Sequence, residues 1–333
     1  MKSAKEILAK SPKLRQQVKA TVALTRYQEK FLDAVTEIRA NPDNTEASFM
    51  ARQLVQCTLP HTNPGNVNQW TRRNGSLTLA IVPGRDVEKN ESTGYPFGVI
   101  PRLLLFWITT EALRTKDRRL ELGHSLSEFM RDLGLDPNTG GGKRGDARRL
   151  QDQMRRLFKA TISFHQAMEE PHRKGERWLD MQVAPEAELW WDTHDPAQGT
   201  LWGSYVILGE HFFKAITGAA VPVDMRVLRT IKRSPLALDL YAWTTWRVFR
   251  LSKSAFIPWQ GLMEQMGGEY DRLDNFVQKA KAALRKIRAA YPALKLNYAK
   301  GGLILHPSAT AIAPASRGRR LLQHNERIMR IGG

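Results

Sequence analysis

One order of segments occurs twice along this chain, and it constrains the fold more than any single motif. From Pro101 the residues read as an apolar helix to about Arg114, a short strand around Leu120 to Leu122, and a helix at Ser125 to Leu133. Ser125 stands three residues before Glu128, the spacing of a capping box. A turn with Asp136, Pro137 and Gly140 to Gly142 leads into a longer helix, from about Gly145 to Ala160, and then into strand-like Thr161 to Gln166 and Arg177 to Val183. The same order returns later. Leu236 to Leu251 reads as helix, Ser254 to Ile257 as strand, and Pro258 to Met266 as a helix with proline in its first turn. After Gly267 and Gly268 a longer helix, Leu273 to Ala290, ends before Pro292, and a hairpin runs from Leu294 to His306 around Ala299, Lys300, Gly301 and Gly302.

Helix, strand, helix, turn, helix, hairpin is the order of a winged helix. The letters echo too: Leu105 to Thr110 against Leu240 to Thr245, and Leu126 to Gly134 against Trp259 to Gly267. The expected fold is therefore mainly α within the α+β class, with two tandem winged-helix domains at 57–220 and 221–308. Leu8, Leu14, Val18, Val22, Leu32 and Val35 recur at helical intervals, so residues 1–56 read as a helical extension broken at Asn41 to Asn44. Residues 309–333 read as a basic tail. Two domains also suit 333 residues, more than one ordinary core usually serves.

A net charge of +18 makes a polyanion the expected partner, and double-stranded DNA is the one this fold serves. Cys57 is the only cysteine, which excludes an internal disulfide and a cysteine zinc cluster and suits a reducing cytoplasm. Eight Lys or Arg lie in the first 30 residues without the apolar run of a secretion signal, and Leu103 to Ile108 is far too short to span a bilayer. No membrane association is expected.

In a winged helix the second helix of the helix-turn-helix enters the major groove. The two candidates are 145–160 and 271–290. On the first, Ala147, Leu150, Met154 and Leu157 form a core-facing stripe, and the other side offers Arg148, Arg149, Arg155, Arg156 and Lys159, preceded by Lys143 and Arg144. Seven basic residues stand there against Asp146 and Asp152, a one-sided balance that suits phosphate or guanine contact. On the second, Leu273, Phe276, Val277, Ala280, Leu284 and Ile287 are the expected buried set. Its outward side offers Arg272, Asn275, Gln278, Lys279, Lys281, Arg285, Lys286 and Arg288. Asn275 and Gln278 suit adenine edges, the cations suit phosphate, and Lys300 sits where a wing tip meets the duplex. Five arginines between Arg317 and Arg330 add nonspecific contacts. Trp107, Trp243 and Trp259 lie in apolar helical patterns and read as core. For Trp178, Trp190, Trp191 and Trp202 the sequence leaves core and base stacking open.

Catalytic motifs are missing. Lys143 follows three glycines, but Pro137 and Arg144 stand where a phosphate-binding loop needs glycine and Ser or Thr. No two histidines are separated by one residue, the nearest pair being His165 and His172, and GxSxG is absent. The expectation is a non-enzymatic protein without metal or cofactor.

Three stretches then give the chain a family likeness: Asn74 to Leu79; Gly94 to Arg114, GYPFGVIPRLLLFWITTEALR, running into Leu122 to Gly134; and Gln153 to Phe158. A fourth is Val223 to Arg247. In these the chain resembles the plasmid-encoded RepA family of replication initiators, over roughly residues 55 to 308. The resemblance implies binding to repeated sites at a plasmid origin, opening of adjacent AT-rich DNA, and recruitment of the host initiator and replicative helicase. It also implies a homodimer as a second form, acting on the protein's own promoter. A winged-helix transcriptional regulator without an initiation role is the alternative; a DNA-nicking nuclease is a third reading.

Overall fold

The computed structural model of the chain describes residues 24–137, 145–170, 172–190, 203–267 and 269–312. The first element is α1 (Arg26–Ala40), whose Thr25 cap is reciprocal: the Gln28 amide donates to Thr25 Oγ1 at 3.3 Å, and the Thr25 amide to Gln28 Oε1 at 2.9 Å. The helical spacing predicts helix through to residue 56, and the structure corrects this. β1 (Ala47–Ala51) is a strand, followed by the short helix α2 (Arg52–Gln56). Strands β2 (Trp70–Asn74) and β3 (Leu77–Val82) come next, then a small hairpin of β4 (Arg85–Asp86) and β5 (Glu91–Ser92).

The first copy of the repeated order then appears as α3 (Ile100–Thr115), β6 (Arg119–Glu121), α4 (Leu126–Asp132), α5 (Asp146–Lys159) and a long hairpin, β7 (Thr161–Glu170) with β8 (Arg173–Gln182). Ser125 caps α4, accepting from the Glu128 amide at 3.1 Å. Beyond it lie β9 (Glu186–Glu188) and β10 (Tyr205–Ile207), and then three elements in a stretch without a clear periodic signal: α6 (Glu210–Gly218), β11 (Ala220–Asp224) and α7 (Met225–Ile231). The second copy is α8 (Pro235–Phe249), β12 (Ala255–Pro258), α9 (Trp259–Met266), α10 (Leu273–Ala290), β13 (Leu296–Ala299) and β14 (Gly302–Leu305).

The class is α+β, but the two copies pair their strands differently. In the second, the short strand joins its own hairpin in the order β12-β14-β13. In the first, β6 pairs with β10, which pairs with β9, while the hairpin extends the sheet β2-β3-β7-β8. β1 pairs antiparallel with β11. A single contiguous apolar cluster runs through both copies, from Val35 to Leu305. Its centre is α3 and α8, each apolar on nearly every face, the pattern of a helix buried all round.

Between those two helices sits a buried polar seam. Arg102 of α3, only 2% exposed, grips Asp239 of α8 with two parallel bonds, Nε to Oδ1 at 2.7 Å and Nη2 to Oδ2 at 2.8 Å. Its remaining donors reach the carbonyls of Leu59, Pro60 and Gly98. His61 Nε2 lies 2.8 Å from Asp239 Oδ2, and its other ring nitrogen faces Glu269 at 3.7 Å. Arg72 bonds Glu269 at 2.6 Å and Thr58 at 2.9 Å. Residues 57–61 are thus buried and clasped from both copies.

Burial by itself raises the Asp239 carboxyl, but the Arg102 charge and the bonds from His61 and Arg102 pull it well below the ordinary carboxylate range. Burial is the chief cause lowering His61, which is therefore neutral in the fold. Asp239→Asn strands the Arg102 charge and should cost about 3–5 kcal/mol in denaturant unfolding, whereas replacing both partners with apolar residues should cost less. The unfolded chain takes up a proton at His61 below a pH of about 6.5 and the folded chain does not, so stability falls as pH drops through that value. His61→Gln should flatten this loss between pH of about 6.5 and 5, as read from unfolding curves across that range.

Candidate nucleic-acid interface

The two candidate helices hold their cations in different ways. α5 turns Ala147, Leu150, Met154 and Leu157 inward, as its periodicity requires, and buries Gln153 and Phe158 beside them. Arg148, Arg149, Arg155 and Lys159 remain exposed. Arg148, Arg155 and Lys159 fall seven and eleven residues apart and share one line along the helix. Arg149 pairs with Asp146 at 3.1 Å, one turn back on its own helix. Arg155 reaches Asp86 of the small hairpin at 3.3 Å, and Lys159 Nζ donates to the Arg85 carbonyl at 3.3 Å. Lys143 and Arg144 lie outside the described residues.

Arg156 is placed apart from these four. It bonds Asp152 at 2.8 Å, lies 5.5 Å over the Phe97 ring and touches the Tyr95 carbonyl at 3.5 Å. Gly94, at φ +76°, makes room for it: a Cβ there would stand 2.4 Å from the guanidinium. Gln153 Oε1 accepts from the Phe97 amide at 2.9 Å. Two of the stretches that carry the family likeness, the one beginning at Gly94 and the one at Gln153, are therefore in direct contact.

On α10, Phe276, Ala280, Leu284 and Ile287 are buried and Val277 is half-buried, but Leu273 is exposed, a correction to the expected buried set. It opens the helix, where one side still faces water. Asn275, Gln278, Lys279 and Arg285 are exposed along the outer face, while Arg288 is half-buried. Arg272 pairs with Asp274 at 2.6 Å just at the helix start. Lys281 leans over the rings of Trp259 and Tyr298, at 5.8 and 5.3 Å. Lys286 is turned toward α1, its Nζ 3.3 Å from the Tyr27 hydroxyl. Lys300 is exposed at the turn between β13 and β14, next to Gly301 at φ +77°.

Both helices are thus flanked by a hairpin, and α10 also by α1, which sequence periodicity does not announce. Arg39 of α1 donates to the Ala289 carbonyl at 2.7 Å and so satisfies the end of α10. Trp243 and Trp259 are buried and Trp107 packs edge-on against Phe129 at 4.9 Å, as their patterns suggest. Trp178 and Trp190 are exposed, while Trp191 and Trp202 lie outside the described residues. Among the described residues no helix is long and apolar enough to cross a membrane, and no three His, Cys, Asp or Glu side chains gather as a metal site.

Residues 95–260, which contain α3 to α5 and both members of the Arg102–Asp239 pair, match the family described as plasmid encoded RepA protein, and through them the chain belongs to the plasmid-encoded RepA family. Among solved structures it is similar to RctB domains 2-3, at a TM-score of 0.45 and 11% identity over 76% of this chain and 94% of that one. A second structure of domains 2 and 3 of RctB gives a TM-score of 0.44 and 12% identity over 74% and 95%. At such scores the likeness fixes neither fold nor function. The comparison with curated proteins found no match.

The approach of Gly94 to Arg156 is open to a direct check. Gly94→Ala forces a side chain into a left-handed backbone position and displaces the guanidinium. It should lower unfolding stability by about 1–3 kcal/mol, measured by chemical denaturation, while Gly65→Ala, at φ +77° with open space around it, shows only the backbone part of that effect.

Proposed function

We propose that this chain is a cytoplasmic, non-enzymatic initiator of plasmid replication that binds repeated duplex sites at an origin through two tandem winged-helix modules, 57–220 and 221–308. Membership of the plasmid-encoded RepA family supports this reading. The observation that carries it is the pair of helices α5 and α10, at matching places in the repeated order, each burying an apolar stripe and turning cations outward beside a hairpin. In this reading α5 sets Arg148, Arg149 and Lys159 against phosphates and Arg155 against a base edge. α10 sets Asn275 and Gln278 in the major groove, with Arg272, Lys279, Lys281, Arg285 and Arg288 along its backbone and Lys300 at the wing tip. Lys143 and Arg144 extend the α5 surface, and Arg156 supports it from behind. Opening of AT-rich DNA and recruitment of the host initiator and helicase belong to the same proposal, as does a homodimer in a second, promoter-bound form.

Replacing Arg148, Arg149 and Lys159 together by Ala should shallow the dependence of log affinity on log salt by about 0.9 for each phosphate that the variant no longer neutralises. A titration of origin DNA at several salt concentrations reads this directly, and an unchanged slope removes α5 from the interface. Asn275→Ala should relax preference at one base position, by about 1–3 kcal/mol, and leave the others intact. A plasmid that replicates normally without this gene would favour a regulator instead.

A further inference from the structure

The small hairpin at 84–93 is held against the end of α5 with more precision than a surface loop requires. Gly84 approaches Lys159 so closely that a Cβ would stand 2.4 Å from the lysine Cβ and 2.5 Å from its carbonyl oxygen. Thr93 closes the hairpin base, its amide 2.9 Å and its hydroxyl 3.1 Å from the Gly84 carbonyl. At the tip Arg85 bonds the Asn90 carbonyl at 2.9 Å and its side-chain oxygen at 2.7 Å, and Asn90 takes the left-handed conformation at φ +53°. Within this frame the Lys89 amide donates to Asp86 Oδ1 at 3.3 Å, while Asp86 Oδ2 faces Arg155 Nη2 at 3.3 Å.

Asp86 is 7% exposed, whereas the Arg155 side chain is 54% exposed. One amino group of the fork is therefore anchored and much of the rest faces water. Arg149 and Arg156, by contrast, pair with carboxylates of their own helix. The hairpin is also a poor device for raising affinity. Arg85 and Lys89 are outnumbered on it by Asp86, Glu88 and Glu91. The Lys89 amide, then the Arg155 and Lys89 charges, hold the Asp86 carboxyl below its ordinary range, so it stays ionised at neutral pH.

We propose that Asp86 is a positioning residue that orients Arg155 for one base contact, so that it sets sequence discrimination rather than overall affinity for DNA. This rests on the reading of α5 as a DNA-facing helix. A free arginine adapts to phosphate or base in many rotamers; one tethered at a single amino group has given up that freedom in advance and presents its fork in one geometry.

The test compares Asp86→Asn, Arg155→Lys, Arg155→Ala and the Asp86→Asn/Arg155→Ala pair in the full chain. Sites selected from a random duplex pool by the unaltered protein serve as specific DNA, and a scrambled duplex as nonspecific DNA. Asp86→Asn keeps shape and the Lys89 bond, so nonspecific affinity should stay level or rise while the specific-to-nonspecific ratio falls about tenfold. Arg155→Lys, which keeps the cation without the fork, should lower the ratio similarly, and adding Asp86→Asn to Arg155→Ala should cost nothing more. Equal loss of both affinities in Asp86→Asn, or an unchanged ratio in it or in Arg155→Lys, overturns the assignment. Should Asp86→Asn fail to fold, Asp86→Glu, which keeps the charge but displaces the anchor, takes its place and should likewise lower the ratio, an unchanged ratio overturning the assignment. If Arg155→Ala and the triple Arg148, Arg149 and Lys159 replacement all leave binding untouched, the DNA-facing reading of α5 itself has failed; if the triple variant weakens binding while Asp86→Asn keeps full discrimination, only the positioning role has.

Discussion

Arg102 and Asp239 close a buried ion pair between the two central helices, and the arrangement of everything else depends on it. Two charges out of water are tolerated only when each finds its full set of partners. Here Arg102 also holds three backbone carbonyls, and Asp239 holds His61. The pair joins α3 of the first copy to α8 of the second through residues 59–61, so the two copies share a seam as well as an apolar core. Apolar packing alone tolerates small slips between helices, while a two-pronged guanidinium–carboxylate contact admits one geometry. α5 packs against α3 and α10 against α8, so the pair joins the two helices on which the cation-bearing helices rest.

Local cations acquire different roles from what the fold sets beside them. On α5, four arginines and a lysine look alike in sequence, yet those with a neighbour meet different ones: Asp146, Asp86, the Gly94 to Phe97 segment, or the Arg85 carbonyl. On α10, Lys281 lies across two aromatic rings and Lys286 turns to Tyr27. Position on a helical face thus selects exposure, and tertiary neighbours select chemistry. α1 adds a layer of its own, capping the end of α10 with Arg39 and taking one flank of that helix out of solvent.

The strand pairings show where local reading stops. The second hairpin is announced by turn residues and apolar alternation; of the first, only the strand segments 161–166 and 177–183 are, and the structure extends them to Glu170 and back to Arg173. Nothing in the alternation of Thr161 to Gln166 says that its partner on one side is Leu77 to Val82, or that Arg119 to Glu121 leaves its own hairpin for Tyr205 to Ile207. Ala47 to Ala51 continues the helical extension by its position in the chain, yet it is a strand, because its pairing partner lies far along the sequence at Ala220 to Asp224. The small hairpin at 85–92 is too short and too polar to carry any periodic signal.

By itself the sequence determined the order of helices and hairpins in both copies, the inward stripes of α5 and α10, and the surplus of positive charge opposite them. Periodicity, capping and composition are local quantities, and they suffice for those features. The tertiary structure alone decided that Arg102 meets Asp239, that Arg156 turns inward to Gly94 and Phe97, and that Asp86 stands beside Arg155. Each of these joins residues distant in the chain, and a contact between side chains is set by the packing of whole elements, which no window of sequence contains.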